Sequence, residues 1–491
     1  MIKDFIIDHN KSLKDALVLI NKNARGILFV IKKKQLVGVV TDGDIRRNLI
    51  DGLKMRSFIN KVMNKDFIYL KANTPKEKIN KIFKDGIKGK KNKNHKNIKC
   101  IPLVNNRNEI VDLVFNLSTG FIPVFEPNLS GNEQKYLIDC LKSNWISSKG
   151  PYIDKFEKIF QELHSGYYAL TASSGTTALH LSLAAEGIGP GDEVIVPDLT
   201  FAASINTIIH CGATPVIVDV NKKTWTIDPK KIDEVISKKT KAIMPVHLFG
   251  HACEMDEISK IAKKNNLKII EDCAEAHGVE YKGRKVGSIG DIGAFSFYAN
   301  KTFTCGEGGM VVTNSKKLAE KAKSLKNLSY GKVNRFLHED IGFNYRLPNI
   351  SAALGLGQFL QRDKIFSEKK RIYARYKNNL KNTKGINIPI IKNWTTNYIM
   401  WVFNLYLDDE FPISRDELVK KLDNEKIETR NAFVPINKQK ILIKKYDLYN
   451  ENECPNANYI MDNGLYLPSG NNITNSEIDF ICNKIKKISK L

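Results

Sequence analysis

No C-x-x-C pair occurs anywhere in this 491-residue sequence. Its eight cysteines (Cys100, Cys140, Cys211, Cys253, Cys273, Cys305, Cys454 and Cys482) are scattered along the chain. That pattern argues against a zinc site and against a disulfide framework, so no metal is expected and a reducing compartment is. Long apolar runs are missing too: nothing approaches the ~18 uninterrupted apolar residues of a membrane helix. Membrane insertion is therefore not expected. The first ten residues place Asp4, Asp8 and His9 in their only apolar patch, which does not fit a signal peptide, and the cytoplasm is the expected location. Acidic residues are in deficit, 53 against 77 basic ones, for a formal charge of +24. The excess is mostly lysine, spread over the whole chain among Asn and Ile, with no nucleic-acid recognition module. Nucleic acid is thus not an expected partner; small anions, phosphates and carboxylates are.

The length is too great for one ordinary core, so two or three domains are expected. Residues 1–120 read as two short related α/β units. The first has a helical stretch from Ser12 to Asn21 and strands over Ile27–Ile31 and Gln35–Val40. Thr41-Asp42-Gly43-Asp44 then opens a helix at Ile45. Val62-Met63-Asn64 marks the join. The second unit repeats the plan with a helix from Pro75 to Lys84 and strands over Cys100–Val104 and Ile110–Phe115. The run Lys88 to Asn94 reads as a solvated loop.

Gly38-Val39-Val40-Thr41-Asp42-Gly43-Asp44-Ile45-Arg46-Arg47 resembles the CBS-domain family, in tandem here. The resemblance implies a regulatory nucleotide held by Thr41 and Asp44. A hydroxyl and free amides at a helix start suit phosphate, and a carboxylate suits ribose hydroxyls. The second unit has Asp112-Leu113-Val114-Phe115-Asn116-Leu117-Ser118 at the matching place, without the Thr or the acid, so one site is expected, not two. Thr-Asp-Gly-Asp is equally a good helix cap, which leaves a purely structural module open.

From Phe121 onward the chain carries five motifs with chemical content. Thr171-Ala172-Ser173-Ser174-Gly175-Thr176-Thr177 runs into an apolar helix from Ala178 to Ala185; such a start offers free amides to a phosphate, although any capped helix could show it. Val194-Ile195-Val196-Pro197-Asp198-Leu199-Thr200-Phe201 is a buried-type strand ending in an aromatic, which on its own would more often be core. Leu267 to Asp272 is a strand delivering an aspartate at its C-terminal end, where open α/β sheets place ligands; Cys273-Ala274-Glu275-Ala276-His277-Gly278 follows. Gly293-Ala294-Phe295-Ser296-Phe297 leads through Asn300-Lys301-Thr302 to the turn Gly306-Glu307-Gly308-Gly309. A partly desolvated lysine there is a candidate amine nucleophile. Ile341-Gly342-Phe343-Asn344-Tyr345-Arg346 is last, with a polar loop before a helix as its plain reading.

In this order and spacing the motifs resemble, nearly end to end over residues 121–491, the DegT/DnrJ/EryC1/StrS sugar aminotransferases. The resemblance implies an α/β, fold-type I transferase dependent on pyridoxal 5′-phosphate. Its large domain (121–370) would hold a mostly parallel sheet with helices on both faces; a small C-terminal α/β domain (371–491) would follow. It implies Lys301 as the Schiff-base lysine and Asp272 as partner of the pyridine nitrogen. Ser174, Gly175, Thr176 and Ser296 would hold the phosphate, Phe201 would stack on the ring, and Glu275 would lie near its phenolic oxygen. Asn344 would reach the phosphate of a partner subunit, making a homodimer with shared sites. Lysine at 301 also separates the chain from relatives that dehydrate sugars and carry histidine there.

Asn300-Lys301-Thr302, Glu428-Thr429-Arg430 and Gly464 to Gly470 look most like the perosamine-forming branch. That implies amino transfer from L-glutamate to C4 of GDP-4-keto-6-deoxy-mannose, for surface polysaccharide. Arg430 would contact a substrate phosphate, although surface ion pairing is its plain alternative. The branch's usual aromatic after Arg is replaced by Asn431-Ala432-Phe433. An N-acetylated or UDP-linked 4-keto sugar therefore stays open, as does a regulator with an inactive aminotransferase fold.

Overall fold

Two compact units, Met1–Gly120 and Phe121–Leu491, divide the chain in the computed structural model. It describes residues 2–23, 26–75, 78–79, 82–83, 98, 100–115, 121–446 and 454–490.

The front unit is a duplicated fold. In the first half, Ile6–Asp8 pairs parallel with Ile27–Lys32, which pairs antiparallel with Gln35–Thr41. In the second, Leu70–Lys71 pairs parallel with Cys100–Val104, which pairs antiparallel with Ile110–Phe115. Bridges Gln35–Glu109 and Val39–Asn64 join the halves. The helix expected from Ile45 begins three residues earlier, as Asp42–Ile50. The reason is a capping box: Thr41 is the N-cap, and its hydroxyl and the Asp44 carboxylate exchange bonds with each other's amides. The lysine-rich run 88–94, half of the helix expected over 75–84, and Asn116-Leu117-Ser118 lie outside the described residues.

The second unit is built on seven strands in the order Tyr168–Ala172, Gly309–Thr313, Ile292–Ser296, Lys268–Asp272, Thr240–Ile243, Glu193–Pro197, Thr214–Val218. Pairings are parallel except those of Gly309–Thr313, which runs against both its neighbours. Alternation along the strands feeds two cores. Ile195, Ile243 and Ile269 face one side with Phe156, Phe160 and Ile258 from helices Pro151–Leu163 and Met255–Asn265. Val194, Val196, Ala242 and Ile270 face the other with Leu179, Leu183 and Ile205 from helices Gly175–Glu186 and Ala202–His210. Continuous apolar strands are what burial on both faces demands.

A smaller antiparallel sheet follows, in the order Ile386–Asn387, Phe403–Leu407, Gly464–Leu467, Arg430–Asn431. Helices Arg362–Leu380, Arg415–Asn424 and Asn475–Ile488 cover it, burying Ile372, Leu418, Leu422, Ile478 and Ile481 in a third core. The 19-residue helix Arg362–Leu380 runs without a break across position 370.

Candidate active site

Parallel strands end on one edge of the sheet, the edge where open α/β sheets place their ligands. Asp272 is the last residue of Lys268–Asp272 and is buried. Its Oδ2 accepts from the Ser204 hydroxyl at 2.7 Å, and its Oδ1 from the Ala274 amide at 3.1 Å. Thr200 Oγ1 stands 2.7 Å behind Ser204 Oγ. Burial pushes the Asp272 carboxyl above its usual range; the Ser204 bond and the positive charge of Lys301 draw it partly back. Among the described residues no cation lies within ion-pair distance of it, so this buried acid has hydrogen bonds but no ion-pair partner.

Lys301 follows the strand Ile292–Ser296 in an irregular loop, with its side chain only 12% exposed. Its Nζ lies 3.2 Å from Glu275 Oε1 and 3.8 Å from the centre of the Trp401 ring. Glu275 Oε2 is taken by the Phe249 amide at 2.9 Å. Phe249 has φ of +52°, left-handed backbone that a bulky residue rarely adopts, and that turn aims its N–H at the carboxylate. Burial raises the Glu275 carboxyl above its usual range, with Lys301 opposing. Trp401, Phe249 and Phe433 stack in sequence: 5.8 Å and 10° for the first pair, 5.6 Å and 19° for the second. Phe433 then meets Phe201 at 5.9 Å. Phe201 is 59% exposed, so it is not the core residue its place after a strand would suggest.

Helix Gly175–Glu186 begins at the same edge, three residues before the expected Ala178. Ser174 is its N-cap, and its hydroxyl is spent on Thr177 in a capping box. Among the described residues the amides of Gly175 and Thr176 have no acceptor, as the first turn of a helix leaves them. A Cβ on Gly175 would come within 2.5 Å of Ser296 Cβ, and one on Gly309 within 2.1 Å of Ser174 O. Glycine at these places lets the helix start close down on the strand ends, beside the Ser296 hydroxyl.

Asp272, Glu275, Ser296, Lys301, Ser174, Gly175, Thr176 and Phe201 thus all stand at this edge, on strand ends, at a helix start or on the loops between them. Two further expected site residues bond elsewhere. Asn344 is exposed and its side-chain oxygen accepts from Arg346 Nε at 2.8 Å. Arg430 is 61% exposed and paired with Glu428 at 2.6 Å, on a short strand beside Tyr466. Ser204, Phe249, Trp401 and Phe433 were not anticipated. Their signals are single aromatics or a hydroxyl in apolar stretches, which read as core.

A His–Glu–Cys group, His247, Glu271 and Cys273, is buried behind Asp272, with ligand atoms within 4.8 Å of one another. Its polar atoms are already used: His247 Nε2 meets Glu271 at 3.0 Å, and Nδ1 accepts from the Cys253 amide. Glu271 also accepts from the Gly287, Ile289 and Gly290 amides. The group ties the loop 287–290 to the sheet.

In the front unit, a cleft of about 450 Å³ is lined by Thr41, Asp42, Gly43, Arg46, Asn64 and Asp66, among others. Asp44 is not in its wall. Its Oδ2 takes the Thr41 hydroxyl at 2.7 Å, and its Oδ1 pairs with Arg47 at 2.5 Å.

The edge of the large sheet offers free amides for a phosphate, an exposed ring for stacking, a buried acid without an ion-pair partner among the described residues, and a sheltered amine. That donor set fits pyridoxal 5′-phosphate. Comparison with known proteins agrees. The GDP-perosamine synthase of Escherichia coli O157:H7 is 43% identical over 367 residues, covering 75% of this chain and 98% of that protein. Among solved structures, DesV of S. venezuelae superposes with a TM-score of 0.70 at 31% identity, over 76% of this chain and 99% of that one. The PLP form of the putative sugar aminotransferase Spr1654 of Streptococcus pneumoniae gives 0.71 at 26%, over 75% and 99%. Residues 1–51 match the CBS domain family. Residues 127–486 match the DegT/DnrJ/EryC1/StrS aminotransferases, and the chain is a pyridoxal-phosphate-dependent sugar aminotransferase of that family with a CBS domain at its front.

Proposed function

We propose that this enzyme transfers the amino group of L-glutamate to C4 of a nucleotide-linked 4-keto-6-deoxy sugar, with GDP-4-keto-6-deoxy-mannose as the substrate and GDP-perosamine as the product. The observation that carries the reading is the 43% identity to a GDP-perosamine synthase across nearly its whole length. When bound, pyridoxal phosphate supplies an aldehyde for the amine and a ring that takes up the electrons released at a cleaved C–H bond. The chain's own groups do the rest. The Gly175 and Thr176 amides and the Ser296 hydroxyl hold the phosphate, and Phe201 covers the ring face. Asp272, held by Ser204, keeps a proton on the pyridine nitrogen; its burial makes that charge pair strong. Lys301 would be the amine that holds the cofactor through its aldehyde carbon, and its Nζ would be the base placed to move the proton at the reacting carbon. Glu275, fixed by the Phe249 amide, holds that Nζ in the site. Arg430 is assigned to the phosphates of the sugar nucleotide.

We assign the small domain to residues 371–491 on its separate antiparallel sheet, and the second CBS unit to the rest of residues 1–120 on the repeat of the front unit's sheet. A homodimer with Asn344 turned toward the partner's phosphate is supported by the exposure of Asn344 and of Val333, Phe336, Leu337 and Ile341 before it. Eight free cysteines support a cytoplasmic setting, and no helix among the described residues is long and apolar enough to cross a membrane. The front cleft is assigned to a regulatory nucleotide.

The test is a screen of purified enzyme, with glutamate, against GDP- and UDP-linked 4-keto sugars with and without a 2-acetamido group. Amination of the GDP-linked deoxy sugar is expected to dominate. Preference for a UDP-linked or acetamido substrate would replace the proposed sugar.

A further inference from the structure

Lys369 is a buried lysine with no acid. It lies on helix Arg362–Leu380, fully enclosed. Its Nζ donates to the Trp401 carbonyl at 2.9 Å and the Ser469 carbonyl at 2.8 Å, and stands 4.9 Å from the centre of the Phe125 ring. Among the described residues it has no carboxylate partner. Burial pulls its pKa down to about 7, the mark of a cation held at a cost that an apolar residue would not incur. Such a group is explained by what its donors hold.

They hold the mouth of a strand pair. Trp401 stands just before Phe403–Leu407 and Ser469 just after Gly464–Leu467, and those strands pair antiparallel with Phe403 opposite Leu467. The Ser469 hydroxyl also accepts from the Phe403 amide at 2.9 Å. From this anchored backbone the Trp401 indole reaches the large domain. Its Nε1 donates to the Asn300 carbonyl at 2.6 Å, and its ring lies 3.8 Å from Lys301 Nζ. Two contacts therefore run from Lys369 through Trp401 to Lys301, with a third from Trp401 to the neighbouring Asn300 carbonyl.

We propose that Lys369 is a positioning residue: by pinning the Trp401 and Ser469 carbonyls it seats the Trp401 indole against Lys301, and so fixes the reacting amine from the small-domain side. The inference rests on Lys301 being the amine that acts. An indole face favours a cation by its quadrupole, and does so only at short range and over the ring. A slip of the backbone at Trp401 would lose that contact while the fold persisted.

The experiment uses full-length protein labelled with 5-fluorotryptophan. Four fluorine resonances are expected, from Trp145, Trp225, Trp394 and Trp401, with Trp401→Phe identifying its own. Lys369→Met should shift or broaden the Trp401 resonance while those of Trp145 and Trp394 stay in place. In the loaded enzyme, the rate at which glutamate bleaches the cofactor's absorbance should fall by about 10–100-fold in Lys369→Met, the scale of a small misplacement of reacting groups. In a Trp401→Phe background the same Lys369→Met change should cost less than about twofold, because the link is already cut. An unmoved Trp401 resonance overturns the proposal, and so does an equal loss in both backgrounds. If Lys369→Met does not fold, Lys369→Gln, neutral and shorter with two N–H donors in place of three, carries the same readouts. The fluorine result needs no substrate, so it separates failure of this inference from failure of the proposed sugar or donor.

Discussion

Lys301 Nζ lies 3.2 Å from Glu275 Oε1, and both side chains are nearly closed off from solvent. The carboxylate cannot follow the amine far, because its other oxygen is bound to the Phe249 amide. Lys301→Ala and Lys301→Arg should each abolish transamination and the yellow absorbance of the purified protein. Alanine removes the amine, and a guanidinium does not condense with an aldehyde. Far-UV circular dichroism should be unchanged. Normal turnover in either variant would remove Lys301 from the chemistry.

Asp272→Asn should still bind cofactor but lose rate by roughly 10²–10³, the cost of deleting one group that stabilises developing charge. A neutral amide still accepts from Ser204, so the loss would report the charge rather than the packing. Stopped-flow absorbance with glutamate measures it. A rate within about twofold of the parent would mean another acid serves the ring.

Mixing an Asn344→Ala variant with a Lys301→Ala variant should recover part of the activity if sites are shared across a dimer. Each mixed dimer then has one site with both defects and one with neither. Subunit exchange is verified by two affinity tags on one particle. Exchange without recovery would place Asn344 in its own chain's site.

Asp198 predicts a pH dependence of stability. Burial lifts its carboxyl from the usual 3.8 to about 7, although the Asn437 amide bonds its Oδ1 at 2.8 Å. A carboxyl raised on folding binds its proton more tightly in the native state. Its contribution is therefore full below pH 3.8 and lost as the pH rises to about 7. Asp198→Asn, which cannot ionise, should raise Tm at pH 8 and change it much less at pH 4.5. The gain at pH 8 is of the order of a few kcal/mol, at 1.36 kcal/mol per pKa unit. Melting curves at the two pH values check this; a loss of stability at pH 8 would contradict it.

The front unit separates two effects that its motif runs together. Asp44 is occupied by the Thr41 cap and by Arg47, so Asp44→Ala should cost that unit roughly 0.5–2 kcal/mol, the usual worth of a helix cap. Arg46, in the wall of the cleft and paired with Asp42, should matter for binding. Calorimetry of full-length protein with AMP, ATP and GDP is expected to find a nucleotide that binds, and Arg46→Ala should weaken it by roughly 1.5–3 kcal/mol, the range for bonds to a charged group. Deleting residues 1–120 should leave transamination intact, since the residues assigned to it lie after Phe121. Absence of binding by all three nucleotides would make the module structural.

Much of what gathers at this edge of the large sheet is legible in the sequence. Asp272, Ser296 and Phe201 sit where a strand ends, and strand ends show in the sequence as apolar runs stopped by polar or small residues. The capping signals at Ser174 and Thr41 were visible for the same reason, as local chemistry between residues three apart. They were visible as functional candidates, and the structure shows that their hydroxyls are also the caps, which is why both helices start three residues earlier than their apolar pattern implied. The sheltering of Lys301 was beyond local reading. Glu275 is 26 positions away from it and Trp401 is 100 positions away, and the Phe249 amide serves Glu275 only because its backbone turns left-handed. Lys369 is one of many lysines on a helix that reads as amphipathic and solvated; nothing in its neighbours marks it as the one turned inward. Local sequence dictates backbone geometry and which face of an element is apolar. Which side chain meets which depends on the order of strands in the two sheets and on how the long helix packs across the smaller one, and those are properties of the whole folded chain.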